Sequence, residues 1–201
     1  MKLEPKDYLK PCSLEDISDE QIEVHFEAHY KGYIAKYNEI QEKLSNLDFS
    51  DRSKANQNYS EYRALKVEES FNYMGVVLHE LYFENLIGGG KGEPSSKLRE
   101  LIEKTFGSIE NCFNEIKATA IACRGWSILI YDLYNNQLIV NGLDAHNNLG
   151  MMMSYPLIVV DVYEHAYYVD YKNKRAPYVD AVFKNLNWNI INSRFEKIIS
   201  K

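Results

Sequence analysis

Asp161-Val162-Tyr163-Glu164-His165-Ala166-Tyr167-Tyr168 places a carboxylate and an imidazole four residues apart. A second carboxylate stands beside the imidazole, and two tyrosines follow. Asp and His at this spacing share one helical face, or converge from a strand end and the helix after it. A carboxylate with imidazoles is a ligand set suited to iron, manganese or zinc. The missing ligands must come from elsewhere, and the chain holds only five histidines: His25, His29, His79, His146 and His165. His25, His29 and Tyr33 recur every four residues and fall on one helical face. His79 lies in the apolar helical run Tyr73-Met74-Gly75-Val76-Val77-Leu78-His79-Glu80-Leu81-Tyr82-Phe83. A lone histidine on such a face is most often a hydrogen-bonded core residue. Beside an Asp-x-x-x-His pair, with so few histidines to distribute, it is also a ligand candidate.

Outward from these residues the elements follow in order. Ser18-Asp19-Glu20-Gln21 has the capping-box pattern and predicts a helix running to about Leu47 with His25, His29 and Tyr33 on it. Asp48 to Ser53 reads as a loop. A second long helix is expected from Tyr59 or Ala64 to Leu86, with His79 near its end. Ile87-Gly88-Gly89-Gly90-Lys91-Gly92-Glu93-Pro94 breaks it and reads as the hinge between two halves. That loop lacks the Walker pattern and a preceding strand, which argues against phosphate binding. Helices are expected over Ser95–Thr105 and Ser108–Cys123. Trp126–Tyr134 and Gln137–Asn141 read as strands joined at Asn135-Asn136. Tyr155–Asp161 is a third strand that delivers Asp161 at its end. A short helix carries His165, and one C-terminal helix is expected over Ala176–Ile199.

Composition sets the class. The chain has 201 residues, 45% hydrophobic and 26% charged, ordinary for a soluble globular protein. No apolar run approaches the roughly 20 residues that span a bilayer. The N-terminus lacks an apolar signal core, so a cytoplasmic location is expected. Cys12, Cys112 and Cys123 have no CxxC spacing and read as reduced thiols. A net charge of −6 argues against nucleic-acid binding. It also repels anions at long range, so an anionic substrate would need local positive charge. Arg175 and Lys174 could supply it, with Lys31 near Tyr33; a solvated surface role is the alternative for the two lysines.

From about Leu14 to Phe195 the chain resembles the iron/manganese superoxide dismutases. Asp161 to Tyr168 is similar to that family's C-terminal signature, with Tyr163 where Trp is usual. Phe106-Gly107-Ser108, Gly125-Trp126 and Tyr171-Lys172-Asn173-Lys174-Arg175-Ala176-Pro177-Tyr178 match further landmarks in order. The resemblance implies an α+β protein. Residues 1–88 would form an N-terminal long α-hairpin domain, and residues 89–201 a C-terminal α/β domain with a small, mainly antiparallel three-stranded sheet. It implies one iron or manganese ion per chain, held by His25, His79, Asp161 and His165 with a solvent molecule as fifth ligand. Tyr33 matches the gateway tyrosine and His29 the histidine behind the ligands. Glu164 matches the glutamate that reaches the partner's metal-ligating histidine across a homodimer, and Tyr168 the tyrosine that meets the partner's other histidine. Trp126 matches an aromatic wall of the metal site and Arg175 an arginine lining the substrate funnel. A tetramer is equally compatible with these residues.

The implied reaction is disproportionation of superoxide to dioxygen and hydrogen peroxide by redox cycling of the metal. The departures bear on the choice of metal. The family places a Gln against the bound solvent, either four residues before the second ligand, here Gly75, or near Ala145–Asn147, here without Gln. His146 is the candidate for that role, and unlike an amide it titrates, with an ordinary pKa of ~6.5. Leu78 replaces a usual Asn, and Phe26 and Tyr30 replace usual histidines. A non-catalytic homologue of the same fold is the alternative from another class, but it would be expected to lose ligands, and all four are present. Hydrolytic metal chemistry would need an open position and a general base, which the tyrosine-rich surroundings do not suggest.

Overall fold

The computed structural model describes residues 2–148 and 151–200. Ser18 caps the first helix, α1 (Asp19–Val24), through its side chain, which accepts from the Gln21 N–H. The helix does not continue as α to Leu47 as the period-four spacing predicts. His25–Tyr30 winds as a π-helical turn, and α2 (Lys31–Ser45) resumes after it. A π-turn carries an extra residue, and such turns recur at functional sites. Here it lets His25 and Phe26 bury fully while His29 remains half-buried. α3 (Glu61–Glu84) returns antiparallel to α2 after a Ser60 cap. Ile40, Leu44 and Leu65 close the distal end of this hairpin in a small cluster of their own.

The glycine-rich connector is tightly pinned. A Cβ on Gly88 would lie 2.3 Å from the Ser13 carbonyl oxygen. Gly90 has φ +69°, a conformation in which glycine carries no steric cost. α4 (Ser96–Phe106) and α5 (Ile109–Ala122) follow, each started by a serine cap, with Gly107 in the left-handed conformation ending α4. The strands β1 (Trp126–Asp132), β2 (Gln137–Leu143) and β3 (Ser154–Asp161) form an antiparallel sheet of order β2-β1-β3. Every residue of the central strand β1 is buried. α5 covers β1 and β2, while α3 and α8 pack on β3. The fold is thus the expected α+β arrangement, a helical hairpin followed by an α/β half with a three-stranded antiparallel sheet.

After β3 a 3-10 turn (Glu164–Ala166) and the short α6 (Tyr168–Tyr171) lead to α7 (Arg175–Lys184) and α8 (Trp188–Ile199). The single C-terminal helix expected over Ala176–Ile199 is therefore two. The break has a tertiary cause. Leu186 pairs with Leu86, and Asn187 with Lys91, as isolated β-bridges. The buried Asn185 side chain donates to the carbonyls of Glu15 and Ala181 and accepts from the N–H groups of Glu15 and Gly89. Backbone that continued as helix could not make the bridges, in which the Ile87 and Lys91 N–H groups donate to the Asn185 and Leu186 carbonyls and the Asn187 N–H donates to the Asn85 carbonyl. One contiguous core runs from Ile22 and Phe26 through Leu78 and Phe83 to the sheet and on to Phe195.

Candidate metal centre

The site forms where the end of β3 meets the helical hairpin. Asp161 is the last residue of β3 and pairs in register with Trp126, the first of β1. Strand pairing thus puts the carboxylate beside the indole. Gly125 allows this junction: a Cβ there would approach the Tyr163 ring and the Leu143 carbonyl oxygen, each at 3.0 Å. Into this corner come His25 from the π-turn, His79 from α3 and His165 from the 3-10 turn. The Asp161 Oδ2 atom lies 3.1 Å from His25 Nε2, 3.2 Å from His165 Nε2 and 3.4 Å from His79 Nε2. The four ligand atoms all fall within 4.8 Å of one another. His25, His79 and Asp161 are fully buried, and the His165 side chain is 13% exposed.

The hydrogen bonds show what belongs in the middle. His79 Nδ1 is 2.6 Å from the Gly75 carbonyl oxygen. A carbonyl only accepts, so Nδ1 carries the proton and Nε2 presents a lone pair. That lone pair faces a carboxylate oxygen, which also only accepts, and Nε2 has no hydrogen-bond partner. Two opposed lone pairs in a dry pocket are repulsive unless a cation lies between them. The titration behaviour agrees. Burial drives His79 well below its ordinary pKa and lowers His25, so both rings are neutral donors. Burial alone would raise the Asp161 carboxyl, but His165 and His25 beside it hold it well below the usual range. Three imidazoles and one carboxylate fit iron, manganese or zinc.

Around the ligands stands an aromatic wall. The His29 ring stacks on His165 at 4.1 Å between centroids. Burial, then repulsion from His165 and His25, lowers His29 to about 4. Tyr33 packs on His79 at 5.2 Å and on His146 at 4.7 Å. Trp126 meets His79 edge-on at 5.1 Å, and Tyr163 stacks on His165 at 5.3 Å. His146, fully buried, accepts from the indole N–H of Trp126 and contacts the Tyr33 hydroxyl at 2.9 Å. A Cβ on Gly75 would lie 3.0 Å from the Tyr33 ring, so this helical position has no room for a longer side chain while that ring stays in place.

The remaining candidates lie outside this shell. Glu164 is exposed, and Tyr168 is 49% exposed on the same rim. Arg175 turns its guanidinium to the carbonyls of Ala120 and Cys123, where it caps the C-terminal end of α5, and its Nε lies 3.3 Å from the Tyr167 hydroxyl. Lys31 is ion-paired with Asp7 and Glu27, and Lys174 is exposed. Residue patterns missed three contributors. Gln21, read only as half of a capping box, is fully buried; it donates to the His165 carbonyl and accepts from the Val169 N–H. Tyr82 and Tyr178 lie buried behind Asp161.

Comparison with known proteins agrees with this geometry. The family model "Iron/manganese superoxide dismutases, alpha-hairpin domain" matches residues 5–87, and "Iron/manganese superoxide dismutases, C-terminal domain" matches residues 94–194. The chain is 68% identical over 196 residues to "Superoxide dismutase [Fe]" of Aquifex pyrophilus, covering 98% of this chain and 92% of that protein. The Aquifex aeolicus protein of the same name matches to the same extent. "Superoxide dismutase [Mn] 1" of Halobacterium salinarum is 34% identical over 182 residues, 90% of this chain and 88% of that protein. With both halves matched and the ligand pocket assembled from both, this chain belongs to the iron/manganese superoxide dismutases.

Proposed function

We propose that this chain is a superoxide dismutase that converts superoxide to dioxygen and hydrogen peroxide at one iron or manganese ion per chain. The observation that carries the reading is the buried His79 Nε2 lone pair set against Asp161 Oδ2, with His25 and His165 on the same oxygen. A bound iron or manganese ion supplies the one-electron exchange that oxidises one superoxide and reduces the next, which zinc, lacking redox chemistry, does not.

The protein's own residues do the rest. His25, His79, Asp161 and His165 hold the ion. Making peroxide consumes protons, and Tyr33 and His146 are the groups placed to hold them. Because His146 Nδ1 accepts from Trp126, its proton sits on Nε2 and is donated to the Tyr33 oxygen. The Tyr33 hydroxyl hydrogen is then free to point into the ligand pocket. Burial, then the nearby Asp161 charge, raises the Tyr33 pKa, so the phenol stays protonated. His29 fixes the His165 ring by stacking, and Trp126 excludes water.

The exposed Glu164 and Tyr168, beside the partly exposed ring of His165, support a second copy closing this rim, as a homodimer or a tetramer built from such dimers. Arg175, its guanidinium held by the Ala120 and Cys123 carbonyls, is the positive charge we assign to guiding the anion against the −6 net charge. Residues 1–88 and 89–201 are read as the two domains, with the glycine connector between them. An antioxidant role in the cytoplasm is consistent with three unpaired cysteines. Among the described residues no helix is long and apolar enough to cross a membrane.

The test is to load the protein separately with iron and with manganese and measure metal per chain and dismutase activity together. One ion per chain with activity in at least one form is expected, and His79→Ala should lose the metal. Full occupancy without activity in either form, or a His79→Ala variant that keeps metal and activity, would overturn the assignment.

A further inference from the structure

At the Asp161 main chain, outside the ligand set, two tyrosines are buried completely. Tyr82 and Tyr178 each have 0% exposure, and their hydroxyl oxygens are 3.0 Å apart. Tyr178 also lies 2.8 Å from the Asp161 main-chain carbonyl oxygen. The carbonyl has no hydrogen to give, so Tyr178 donates to it. Its one proton is thereby committed, and Tyr82 must be the donor in the contact between the two hydroxyls. The direction of the chain is fixed: Tyr82 to Tyr178 to Asp161. Successive hydrogen bonds of this kind polarise one another.

The far end of the same residue is anchored separately. Asp161 Oδ1 accepts from the Tyr163 N–H at 3.0 Å, which leaves Oδ2 for the imidazoles. Asp161 is therefore clamped at its main chain by Tyr178 and at its carboxylate by Tyr163. Tyr82 touches the site a second time, because its ring lies 5.3 Å from that of His25. It also sits one helical turn after His79 on α3. Phenylalanine would fill the same apolar space without burying a hydroxyl. Hydroxyls here make sense only through the bonds they form.

We infer that Tyr82 and Tyr178 are a positioning pair for the metal centre, a directional hydrogen-bond relay that sets the Asp161 main chain and so the carboxylate offered to iron or manganese. The inference rests on the ligand set proposed above. Partners of metal ligands typically alter metal affinity 10–100-fold when removed.

The experiment uses the iron-loaded full chain with Tyr178→Phe, Tyr82→Phe and the double variant. It measures iron retention against a chelator, the electron paramagnetic resonance spectrum of the ferric form, and the reduction potential. Tyr178→Phe should weaken iron retention roughly tenfold and change both the ferric spectrum and the potential. Tyr82→Phe should change them in the same direction by less. The double variant should match Tyr178→Phe, since Tyr82 acts through it. Wild-type spectra and potential in all three, with only a lower melting temperature, would reduce the pair to packing and overturn the relay alone. If Tyr178→Phe does not fold, Tyr82→Phe decides, because it leaves the Asp161 carbonyl paired. Wild-type protein that takes up neither iron nor manganese would instead overturn the ligand assignment and the relay together.

Discussion

Trp126 donates its indole N–H to Nδ1 of His146 across 2.9 Å. That bond fixes a neutral tautomer with the proton on Nε2, where it meets Tyr33. It also sets a consequence for acid stability. Burial lowers the His146 pKa to about 4. Unfolded, the ring has a pKa of ~6.5. Below 6.5 the unfolded chain binds a proton that the folded chain refuses until about 4. Stability therefore falls as pH drops through that window, by up to about 3 kcal/mol from this ring. His146→Gln removes the titration and puts an amide, still a polar group, in the pocket. Urea unfolding of both proteins from pH 7 to pH 4 should show the variant losing less stability on acidification. Parallel curves would mean that His146 does not stay neutral.

Gly75 and Tyr33 form a second coupled pair. Glycine inside an exposed helix costs about 1 kcal/mol relative to alanine, so Gly75→Ala would ordinarily stabilise α3. Here the added Cβ meets the Tyr33 ring at 3.0 Å, and overpacking costs about 1–3 kcal/mol. The net effect should be neutral to destabilising by about 2 kcal/mol. Gly75→Gln should do worse and displace Tyr33 from His146, lowering activity about tenfold or more. Unfolding midpoints and activity on the same samples check this. A more stable, fully active Gly75→Gln would show that the ring moves aside freely.

These contacts mark how far the residues could be read beforehand. Asp161 and His165 were legible as a pair because they sit four apart, and scarce imidazoles made the other histidines candidates; the family resemblance singled out His25 and His79 from among them. Helix starts were legible at Ser18, Ser95 and Ser108, where a short polar side chain satisfies a free N–H locally. The π-turn at His25–Tyr30 was not, since it shifts the winding without changing which residues are apolar. The break at Asn185–Asn187 was hidden because the apolar pattern continues through it; the backbone leaves the helix to reach Leu86 and Lys91, about 100 residues earlier. Gln21 looked like a local cap, and its partners at His165 and Val169 are 144 and 148 residues away. Local chemistry showed in the sequence; partners chosen by the tertiary fold did not.

Gln21 should therefore behave as a support for His165. Its amide nitrogen donates to the His165 carbonyl at 2.7 Å and its oxygen accepts from the Val169 N–H at 3.0 Å. Gln21→Glu keeps size and shape but loses the donor, setting a carboxylate against a carbonyl. An unmet buried polar group costs about 1–3 kcal/mol. The variant should lose roughly that much stability and release its metal about tenfold faster or more. Chelator competition and urea unfolding measure the two effects. Unchanged metal release would mean that His165 is held by its other contacts alone.

Asn185 provides the contrast, a buried polar residue far from the metal. Its side chain makes four hydrogen bonds, to Glu15 twice, to Gly89 and to Ala181. Together they tie the N-terminal arm, the glycine connector and the end of α7. Asn185→Ala would leave two N–H groups and two carbonyls to find other partners, at about 1 kcal/mol or more each. A loss of about 3–5 kcal/mol is expected, large for one substitution. The ligand residues do not touch Asn185, so metal content per folded chain should stay at the wild-type level. Asn185→Asp should fall between, since it keeps the two acceptor contacts and loses the two donor ones. Unfolding free energies ranked wild type, Asp, Ala, with equal metal content, would place Asn185 in the joint between the two halves; a metal content that falls with stability would instead make that joint part of the site's support.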